Sequence, residues 1–579
     1  MDAKAKYEEW LNSDLIDDDT KKELRMISGD EKEIEDRFNG NLRFGTGGLR
    51  GSMGAGTNRM NRYTVRIATQ GLANYLMKVG YIQDGRNCAR VAISYDNRYH
   101  SQDFALETAE VLVANGIEVH MYTVLHPTPM LSYAVRKLVC DVGVNITASH
   151  NPKEDNGYKV YGPDGSQVVF PMDKAIMNEV KEIERLEECQ FMSDEEVLVS
   201  PLFHVISNEI DDAFTKEVLS LVRRPEDIKH ASDLSIVYSP LHGTGLVPVT
   251  RVLRELGFKN IYVVDGQAIQ IGGFPTVKNP NPENPDAFFL ATEQAKKVNA
   301  ELIIITDPDA DRIGMSGIDR ESGDYIHFTG NMMGALITEY VLSTRKETGT
   351  MPKNPAVVST VVITDLVREI CKEYGVHCEA TGLIGFKNIA NVIRKYEEVG
   401  SYSYVFGLED SDGCLPGTYV RDKDSIGTAV LLASAAAHYH NQGLTLWDQM
   451  KKIYEKYGYY CEILKSKKLE GIEGRKQIAD MISVLRENPM TDIAGWKLLS
   501  VTDYKLNVKK NLVTGEESCA NVEQSNMIYY RVENDGWFLV RPSGTEPTIK
   551  FYVGMKGQNI ESGKANAEKL MNALMEVFG

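Results

Sequence analysis

Short apolar runs alternate along the chain with longer segments in which apolar residues recur at helical spacing. The runs predict buried strands at 91–94, 119–123, 235–238, 301–306 and 356–360. The longer segments between them, such as 105–114 and 332–342, predict amphipathic helices. Alternation of this kind indicates repeated α/β units.

Two further segments extend the helical pattern. An acidic leader at about 1–38 is predicted to be helical. The segment 208–222 has four apolar residues on one helical face, which indicates core packing: Ile210, Phe214, Val218 and Leu221. The glycines of 240–245 predict a turn from a strand into a helix, although they would also suit a phosphate loop.

Length and composition limit the class of protein. At 579 residues the chain is too long for one core and suits three or four domains. With 42% hydrophobic and 25% charged residues, its composition is that of an ordinary globular protein. A net charge of −18 argues against nucleic-acid binding, so an anionic ligand must be attracted by local positive groups.

The chain shows no targeting signal. Its first residues lack the apolar core of a signal peptide, and no apolar stretch is long enough to cross a bilayer, so we expect neither secretion nor a membrane partner. The eight cysteines are scattered without a Cys-x-x-Cys pair. They therefore indicate free thiols in a reducing cytoplasm and imply no zinc.

The stretch 146–155 carries the first candidate chemistry. Ser149 follows the small residues Thr147 and Ala148, directly before His150 and shortly after the apolar run 142–144. A hydroxyl at a strand end beside an imidazole suits a group that accepts a phosphate and then donates it. No Gly-x-Ser-x-Gly elbow surrounds the serine, which argues against acyl transfer. A turn or a helix cap is the plainer interpretation of an isolated Ser–His pair.

An acidic motif directly follows the predicted strand 301–306. Asp307, Asp309 and Asp311 alternate with Pro308 and Ala310. Three crowded carboxylates indicate a site for a hard cation, and oxygen ligands without histidine or cysteine favour Mg²⁺ over zinc. An EF-hand is excluded because its loop positions 6 and 12 would hold Arg312 and Ile318. The three aspartates and the serine together make a stronger case for phosphate chemistry than either motif alone.

Two later loops suit a sugar phosphate. The acidic turn 406–413, followed by 421–424, offers groups that bind sugar hydroxyls, although an ordinary surface turn has the same composition. The loop 541–548 combines an arginine, two hydroxyl groups and a glycine turn between the strand-like runs 537–540 and 549–553. Such a loop is a suitable cradle for a phosphate dianion, and a plain hairpin turn is the alternative interpretation. A helix at 561–578 closes the chain.

The four motifs Thr-Ala-Ser-His-Asn-Pro, Asp-Pro-Asp-Ala-Asp-Arg, Gly-Leu-Glu-Asp-Ser and Arg-Pro-Ser-Gly-Thr occur in the order and spacing of the α-D-phosphohexomutases. The chain thus resembles the phosphoglucomutase and phosphomannomutase family over nearly its whole length. The resemblance implies an α/β fold with three similar mixed α/β domains and a smaller α+β C-terminal domain around a central cleft. The four domains would span residues 1–207, 208–325, 326–455 and 456–579.

The resemblance also implies site residues. Ser149 would carry the phosphate and, with the three aspartates, hold Mg²⁺. Glu409 and Ser411 would bind sugar hydroxyls. The phosphate that is not transferred would be held by Arg541, Ser543, Gly544 and Thr545. Further positions matching the family pattern are Arg50, Lys159, Lys387 and Lys423.

The general acid and base stay open at this point. Many bacterial members carry histidines where this chain has Leu383 and Gly413. We therefore favour Lys423 and Lys159 for proton transfer, with His150 supporting the serine. Arg312 would help to offset the charge of the transferred phosphoryl group.

The resemblance predicts an enzyme that interconverts glucose 1-phosphate and glucose 6-phosphate, with glucose 1,6-bisphosphate as intermediate and activator. We expect a monomer or a weak homodimer. Length, the N-terminal Gly-Thr-Gly-Gly-Leu-Arg-Gly and the Arg-Asp-Lys-Asp segment favour the phosphoglucomutase branch. Phosphomannomutase and phosphopentomutase activities are the nearest alternatives. A phosphatase with an aspartate nucleophile and a non-catalytic sugar-phosphate sensor are more distant ones.

Overall fold

The computed structural model describes residues 2–42, 48–80, 86–469, 471–543 and 548–578. The chain forms two units, one of residues 1–327 with 413–443 and one of residues 328–412 with 444–579. Among the described helices, none combines the length and the apolar character needed to cross a bilayer.

The acidic leader is helical, as predicted. Its helices are α1 (Ala3–Asn12), α2 (Asp18–Met26) and α3 (Glu31–Phe38). Asp2, Asp17 and Asp30 each cap one helix by accepting a backbone N–H through the side chain. Trp10 and Phe38 are buried and pack edge to face with ring centroids 5.6 Å apart. The three helices therefore contribute to a small core that also includes Ala55 and Tyr63.

The first sheet carries the serine motif. Its region contains β1 (Gly48–Ser52), α4 (Arg62–Val79), β2 (Arg90–Tyr95), α5 (Ser101–Ala114), β3 (Glu118–Met121), α6 (Thr128–Lys137), β4 (Val142–Ile146), β5 (Asp155–Tyr161), α7 (Met172–Lys181), α8 (Asp194–Leu198) and β6 (Phe203–Val205). The strand order is β1-β5-β4-β2-β3-β6. Strands β4, β2, β3 and β6 are parallel, whereas β5 is antiparallel to both β4 and β1. The segments that follow β2 and β4 consequently meet at one edge of the sheet.

The second sheet carries the aspartate motif. Its region contains α9 (Asn208–Leu219), α10 (Pro225–His230), β7 (Ser235–Ser239), α11 (Leu246–Glu255), β8 (Asn260–Val263), α12 (Asp265–Ala268), α13 (Phe289–Val298), β9 (Leu302–Thr306), β10 (Ile313–Ile318) and β11 (Tyr325–Phe328). The strand order is β11-β10-β9-β7-β8. Every residue of β9 is buried, which explains its unbroken apolar run. Helix α9 buries Ile210, Phe214 and Val218 as predicted but ends before Leu221, which is half-buried.

The third sheet is built mainly of strands from the second unit. Its region contains α14 (Gly330–Glu347), β12 (Pro355–Thr360), α15 (Asp365–Tyr374), β13 (His377–Thr381), α16 (Phe386–Val399) and β14 (Ser403–Glu409). Strand β12 is parallel to both β13 and β14. The chain then returns to the first unit through β15 (Gly413–Leu415) and the largely buried helix α17 (Ser425–His440).

The C-terminal region is an antiparallel sheet with two long helices. Its elements are α18 (Leu446–Tyr457), β16 (Tyr459–Lys468), α19 (Gly471–Glu487), β17 (Asp492–Ile493), β18 (Trp496–Asp503), β19 (Val508–Asn511), β20 (Glu517–Cys519), β21 (Ile528–Val532), β22 (Gly536–Pro542), β23 (Thr548–Gly557) and α20 (Ile560–Val577). Phe538 and Phe551 lie in a core that also includes Leu570 of α20. The predicted fold class, mixed α/β layers followed by an α+β C-terminal domain, is confirmed.

Candidate active site

Ser149 lies in the turn that follows β4. Only 3% of it is exposed, and its backbone is left-handed with φ +52°. A residue other than glycine adopts this conformation at a cost, and such strain concentrates at functional positions. The turn is held because the Ser149 amide donates to Thr147 Oγ1 at 2.8 Å. The hydroxyl is thereby presented at the edge where the parallel strands end.

An arginine that we did not predict organises this turn. The Arg98 guanidinium donates to the backbone carbonyls of Ser149 (2.5 Å), Asn151 (2.6 Å), Pro152 (2.8 Å) and Asp155 (3.0 Å). Asp96 lies beside Arg98, with Nε and Oδ2 separated by 3.3 Å, and also accepts from Thr147 Oγ1 at 2.6 Å. Both side chains are fully buried. The serine turn is therefore fixed by a buried ion pair at the end of the neighbouring strand β2.

The aspartate loop begins directly after β9. Asp307 Oδ1 accepts from the amides of Asp311 (3.1 Å) and Arg312 (3.0 Å), so the loop wraps around this carboxylate. Asp307 Oδ2 accepts a hydrogen bond of 2.7 Å from Ser149 Oγ. The structure thus brings the predicted serine and the aspartate motif into direct contact, although 158 positions separate them.

The three aspartates form one buried cluster. One carboxylate oxygen from each of Asp307, Asp309 and Asp311 lies within 4.8 Å of the others, and all three residues are at most 2% exposed. Burial and the two neighbouring carboxylates raise the pKa of Asp307 well above its ordinary value. Among the described residues, none forms a hydrogen bond to Oδ1 of Asp309 or of Asp311. Buried oxygens of this kind, with no nitrogen or sulfur ligand in the cluster, fit a hard divalent cation such as Mg²⁺.

The two lysines that were predicted for proton transfer, Lys159 and Lys423, reach this cluster. Lys159 Nζ on β5 lies 2.7 Å from Asp309 Oδ2 and 3.5 Å from Asp311 Oδ2. Lys423 Nζ lies 3.0 Å from Asp311 Oδ2 and 3.2 Å from Asp422 Oδ1. Although burial opposes its charge, Asp309 and Asp311 raise the pKa of Lys159, so this side chain stays protonated at neutral pH.

The other predicted catalytic residues of the first unit surround the serine turn. Arg50 on β1 donates to Asn151 Oδ1 at 3.1 Å. His150 Nδ1 lies 3.3 Å from Ser149 Oγ. Burial, with the nearby charge of Arg312, lowers the pKa of His150 well below its ordinary value. The imidazole is accordingly neutral at physiological pH.

Several supporting residues were not found from the sequence. Thr128 Oγ1 donates to Asp309 Oδ2 at 2.8 Å and accepts from Asn145 Nδ2 at 2.7 Å. Arg312 forms an ion pair with Glu283. Thr128 begins α6, Asn145 lies in β4 and Glu283 lies in the segment before α13, so only the folded chain brings these residues to the aspartate loop.

The glycine-containing segment 240–245 is a strand-to-helix turn between β7 and α11. A Cβ atom at Gly243 would lie 2.4 Å from Pro308 Cα, so only glycine allows this close approach. The Thr244 amide donates to the Pro308 carbonyl at 2.8 Å. The turn therefore packs against the aspartate loop, which agrees with the interpretation of 240–245 as a turn from a strand into a helix.

The predicted sugar-binding residues lie in the second unit. Glu409 is buried at the end of β14, and Ser411 follows in a turn in which Asp412 has φ +59°. A Cβ atom at Gly330, where α14 begins, would lie 2.3 Å from the Asp410 carbonyl oxygen. Lys387 is in the first turn of α16. The turn is thus packed closely against the start of α14.

The predicted phosphate-binding loop is described only in part. Arg541 lies near the end of β22, and the Ser543 amide donates to the Thr548 carbonyl at 2.7 Å, which closes the hairpin with β23. Gly544 and Thr545 lie outside the described residues.

The fold has three sheets with helices, followed by a strand-rich C-terminal domain. Together with the Ser149–aspartate cluster, it defines an α-D-phosphohexomutase. Four family models match the chain: Phosphoglucomutase/phosphomannomutase alpha/beta/alpha domain I at 41–187, domain II at 212–319, domain III at 329–457, and the C-terminal domain at 508–561. The chain belongs to the phosphoglucomutase/phosphomannomutase family.

Curated relatives agree with this assignment. The chain is 36% identical to a phosphoglucomutase of Staphylococcus haemolyticus JCSC1435 over 528 residues, which cover 91% of this chain and 92% of the relative. It is 34% identical to a phosphoglucomutase of Staphylococcus aureus N315 over 530 residues, covering 91% and 92%. This protein is therefore an enzyme of the phosphohexomutase type, which is an isomerase.

A solved structure shares the fold. The open form of pp63/parafusin, a phosphoglucomutase from Paramecium, superposes with a TM-score of 0.68 at 17% identity and covers 93% of this chain and 95% of its own. This similarity extends the fold assignment over nearly the whole chain.

Proposed function

We propose that the enzyme interconverts glucose 1-phosphate and glucose 6-phosphate through a phosphorylated Ser149 and a glucose 1,6-bisphosphate intermediate. The observation that carries the proposal is the 2.7 Å contact between Ser149 Oγ and Asp307 in the buried aspartate cluster. Two phosphoglucomutases that are 36% and 34% identical to the chain support glucose as the sugar.

The cation site would be formed by Asp307, Asp309, Asp311 and an oxygen of the phosphorylated serine. The two Oδ1 atoms of Asp309 and Asp311 without hydrogen-bond partners among the described residues support this assignment. When bound, Mg²⁺ supplies positive charge to the phosphoryl group that is transferred. Arg312 adds a second positive charge at the same loop.

Phosphoryl transfer begins when a sugar hydroxyl attacks the phosphorus on Ser149. The new phosphorus–oxygen bond to the sugar forms as the bond to Ser149 Oγ breaks, and the hydroxyl proton passes to a base. The product is the bisphosphate. After it reorients, Ser149 Oγ gives up its proton to a base and attacks the other phosphate. The bond from that phosphorus to the sugar oxygen breaks, the oxygen takes a proton, and the isomeric sugar monophosphate leaves an enzyme that has regained its phosphoserine.

Lys423 and Lys159 are the groups that we assign to proton transfer. Lys159 stays charged beside Asp309, which suits proton donation to the departing oxygen and stabilisation of its negative charge. Lys423 lies between Asp311 and Asp422, and as a neutral amine it would take the proton of the attacking hydroxyl, so it must lose its own proton before this step. The neutral His150 ring orients Ser149 Oγ.

Substrate binding is assigned to the residues that match the family pattern. Glu409 and Ser411 bind the sugar hydroxyls, and Lys387 supplies a positive charge. Arg541 and Ser543, with Gly544 and Thr545, hold the phosphate that is not transferred. Arg50 contacts the phosphate on the serine from β1. Because the bisphosphate reorients, each phosphate occupies both positions in turn.

The alternative specificities share this mechanism. Phosphomannomutase or phosphopentomutase activity would use the same serine and aspartates and differ only at the sugar-binding turn. Leu383 and Gly413 are the positions at which this chain departs from the histidines of many bacterial members.

The test is turnover of glucose 1-phosphate with Mg²⁺ and catalytic glucose 1,6-bisphosphate, beside mannose 1-phosphate and ribose 1-phosphate. We expect the glucose ester to be preferred and Ser149→Ala to abolish turnover. Preference for another sugar would overturn the specificity, and retained activity in Ser149→Ala would overturn the phosphoserine.

A further inference from the structure

A second group of metal-binding side chains lies in the first unit, away from the serine turn. It consists of Glu118 and His120 on β3 and His204 on β6, the edge strand of the first sheet. Glu118 is the first residue of its strand, whereas Ser149 follows the last residue of the parallel strand β4. The two groups therefore lie toward opposite ends of the same sheet.

Strand pairing brings the two histidines together. His120 and His204 are direct partners in the parallel pair of β3 and β6, and their rings stack with centroids 4.9 Å apart. Glu118 is on the same face of β3 as His120, because side chains alternate along a strand. Nε2 of His120 lies 2.6 Å from Glu118 Oε1, and Nε2 of His204 lies 3.8 Å from it. One ligand atom from each residue lies within 4.8 Å of the others.

Two neighbouring side chains, those of Arg90 and Cys88, lie near the carboxylate of Glu118. Arg90 Nε donates to Glu118 Oε1 at 2.8 Å, so its guanidinium orients the carboxylate but also opposes a cation. Oε2 of Glu118 lies 3.4 Å from Arg90 Nη2 and 3.8 Å from Cys88 Sγ. A carboxylate has enough lone pairs to hold an arginine and a metal at once.

The histidines are suited to metal binding and accessible to it. Both Nε2 atoms lie within 4 Å of the same carboxylate oxygen, Oε1 of Glu118, at 2.6 Å for His120 and 3.8 Å for His204. The side chain of His204 is 45% exposed, whereas those of Glu118 and His120 are 16% and 15% exposed. A metal ion from solvent therefore reaches the group through His204.

We propose that Glu118, His120 and His204 form a binding site for a transition-metal ion of the zinc class, distinct from the cation site of the aspartates. Two imidazoles and one carboxylate match the ligand preference of Zn²⁺, whereas three carboxylates match that of Mg²⁺. The inference is independent of the mutase reaction.

The bound ion would connect the edge strand to the sheet. Strand β6 has only three residues and pairs on one side with β3. A metal held by His120 and His204 adds a cross-link between these two strands in the folded state only. Binding that is restricted to the folded state stabilises it in proportion to the logarithm of the metal concentration.

The experiment is a titration of the full-length protein with Zn²⁺ in the presence of saturating Mg²⁺, by calorimetry and by competition with a coloured chelator. We expect one Zn²⁺ per chain. His204→Ala and His120→Gln should each weaken binding by at least about tenfold, as even the loss of an outer-shell partner does at metal sites.

Two control variants make the result specific. On β13, His377 Nε2 lies 2.7 Å from Glu379 Oε2, but this pair is not part of a group of three possible metal ligands among the described residues. His377→Ala should therefore leave zinc binding unchanged. Asp309→Asn disables the aspartate cluster and should also leave it unchanged. Absence of zinc binding, binding that survives His204→Ala, or binding that Asp309→Asn abolishes would each overturn the proposal.

Discussion

The aspartate cluster and the Glu118–His120–His204 group both place ligands at alternate positions of the chain, yet their environments differ. Asp307, Asp309 and Asp311 lie in a loop and are almost completely buried. Glu118 and His120 lie on β3, beside the edge strand β6, and are partly exposed. Burial makes uncompensated carboxylates costly, so the loop favours a cation strongly, whereas the strand residues tolerate an empty site.

Each site also has an arginine beside a carboxylate. Arg98 and Asp96 are fully buried, and the guanidinium is used up by four backbone carbonyls of the serine turn. The side chains of Arg90 and Glu118 are 24% and 16% exposed. The same kind of ion pair, an arginine with a carboxylate, is therefore fully buried at Arg98 and partly exposed at Arg90.

Ser149→Ala separates the two sites most strongly. We expect mutase turnover to fall by about 10⁴-fold or more, because the atom that carries the phosphate is removed. Zinc binding should not change. Ser220→Ala, which removes an exposed hydroxyl at the end of α9, is the control for both assays. Turnover within a small factor of wild type would contradict the assigned role of Ser149.

Arg98→Met tests the difference between the arginines. The substitution leaves Asp96 buried without its partner, which costs about 3–5 kcal/mol at comparable sites. We expect a loss of that size in the free energy of unfolding measured with urea, together with reduced turnover.

Arg90→Met is the matched control for Arg98→Met. Its pair is partly exposed, so the expected loss is smaller than that of Arg98→Met, at about 2 kcal/mol or less, which includes the hydrogen bond of 2.7 Å that Arg90 Nη1 donates to the Leu138 carbonyl. Removal of this positive charge should also increase the affinity for Zn²⁺. Equal destabilisation by the two substitutions would show that burial does not distinguish the two pairs.

Asp309→Asn tests the cation preference of the loop. It removes one of three carboxylates and the partner of Lys159. We expect the Mg²⁺ concentration for half-maximal activity to rise by about 100-fold. Direct Mn²⁺ binding, followed by electron paramagnetic resonance, should weaken in parallel. Asp324→Asn, at an exposed turn, should alter neither.

The smallest expected effect is thermal. In the Asp309→Asn background, Zn²⁺ should raise the unfolding temperature by about 2 °C at a concentration tenfold above its dissociation constant. EDTA should reverse the shift. The same titration of Asp309→Asn combined with His204→Ala should give no shift, and an equal shift in this double variant would locate the metal elsewhere.

Much of the active site was predictable because its signals are short. The aspartate motif is visible within five residues, and Lys159 and Lys423 were found by their match to the family pattern. Arg98 and Thr128 were missed because they act on residues of other strands. The boundaries 207/208, 325/326 and 455/456 stay predictions. So does the role of the loop that contains Gly544 and Thr545.

The sequence by itself determined the elements, the fold class and the chemical character of the serine and aspartate loops. Hydrophobic periodicity and residue spacing act over a few positions, where backbone geometry alone decides which side chains share a face. Only the tertiary structure decided which distant residues meet. The 2.7 Å contact of Ser149 with Asp307 and the pairing of His120 with His204 depend on strand order and register, which long connections establish far from either residue.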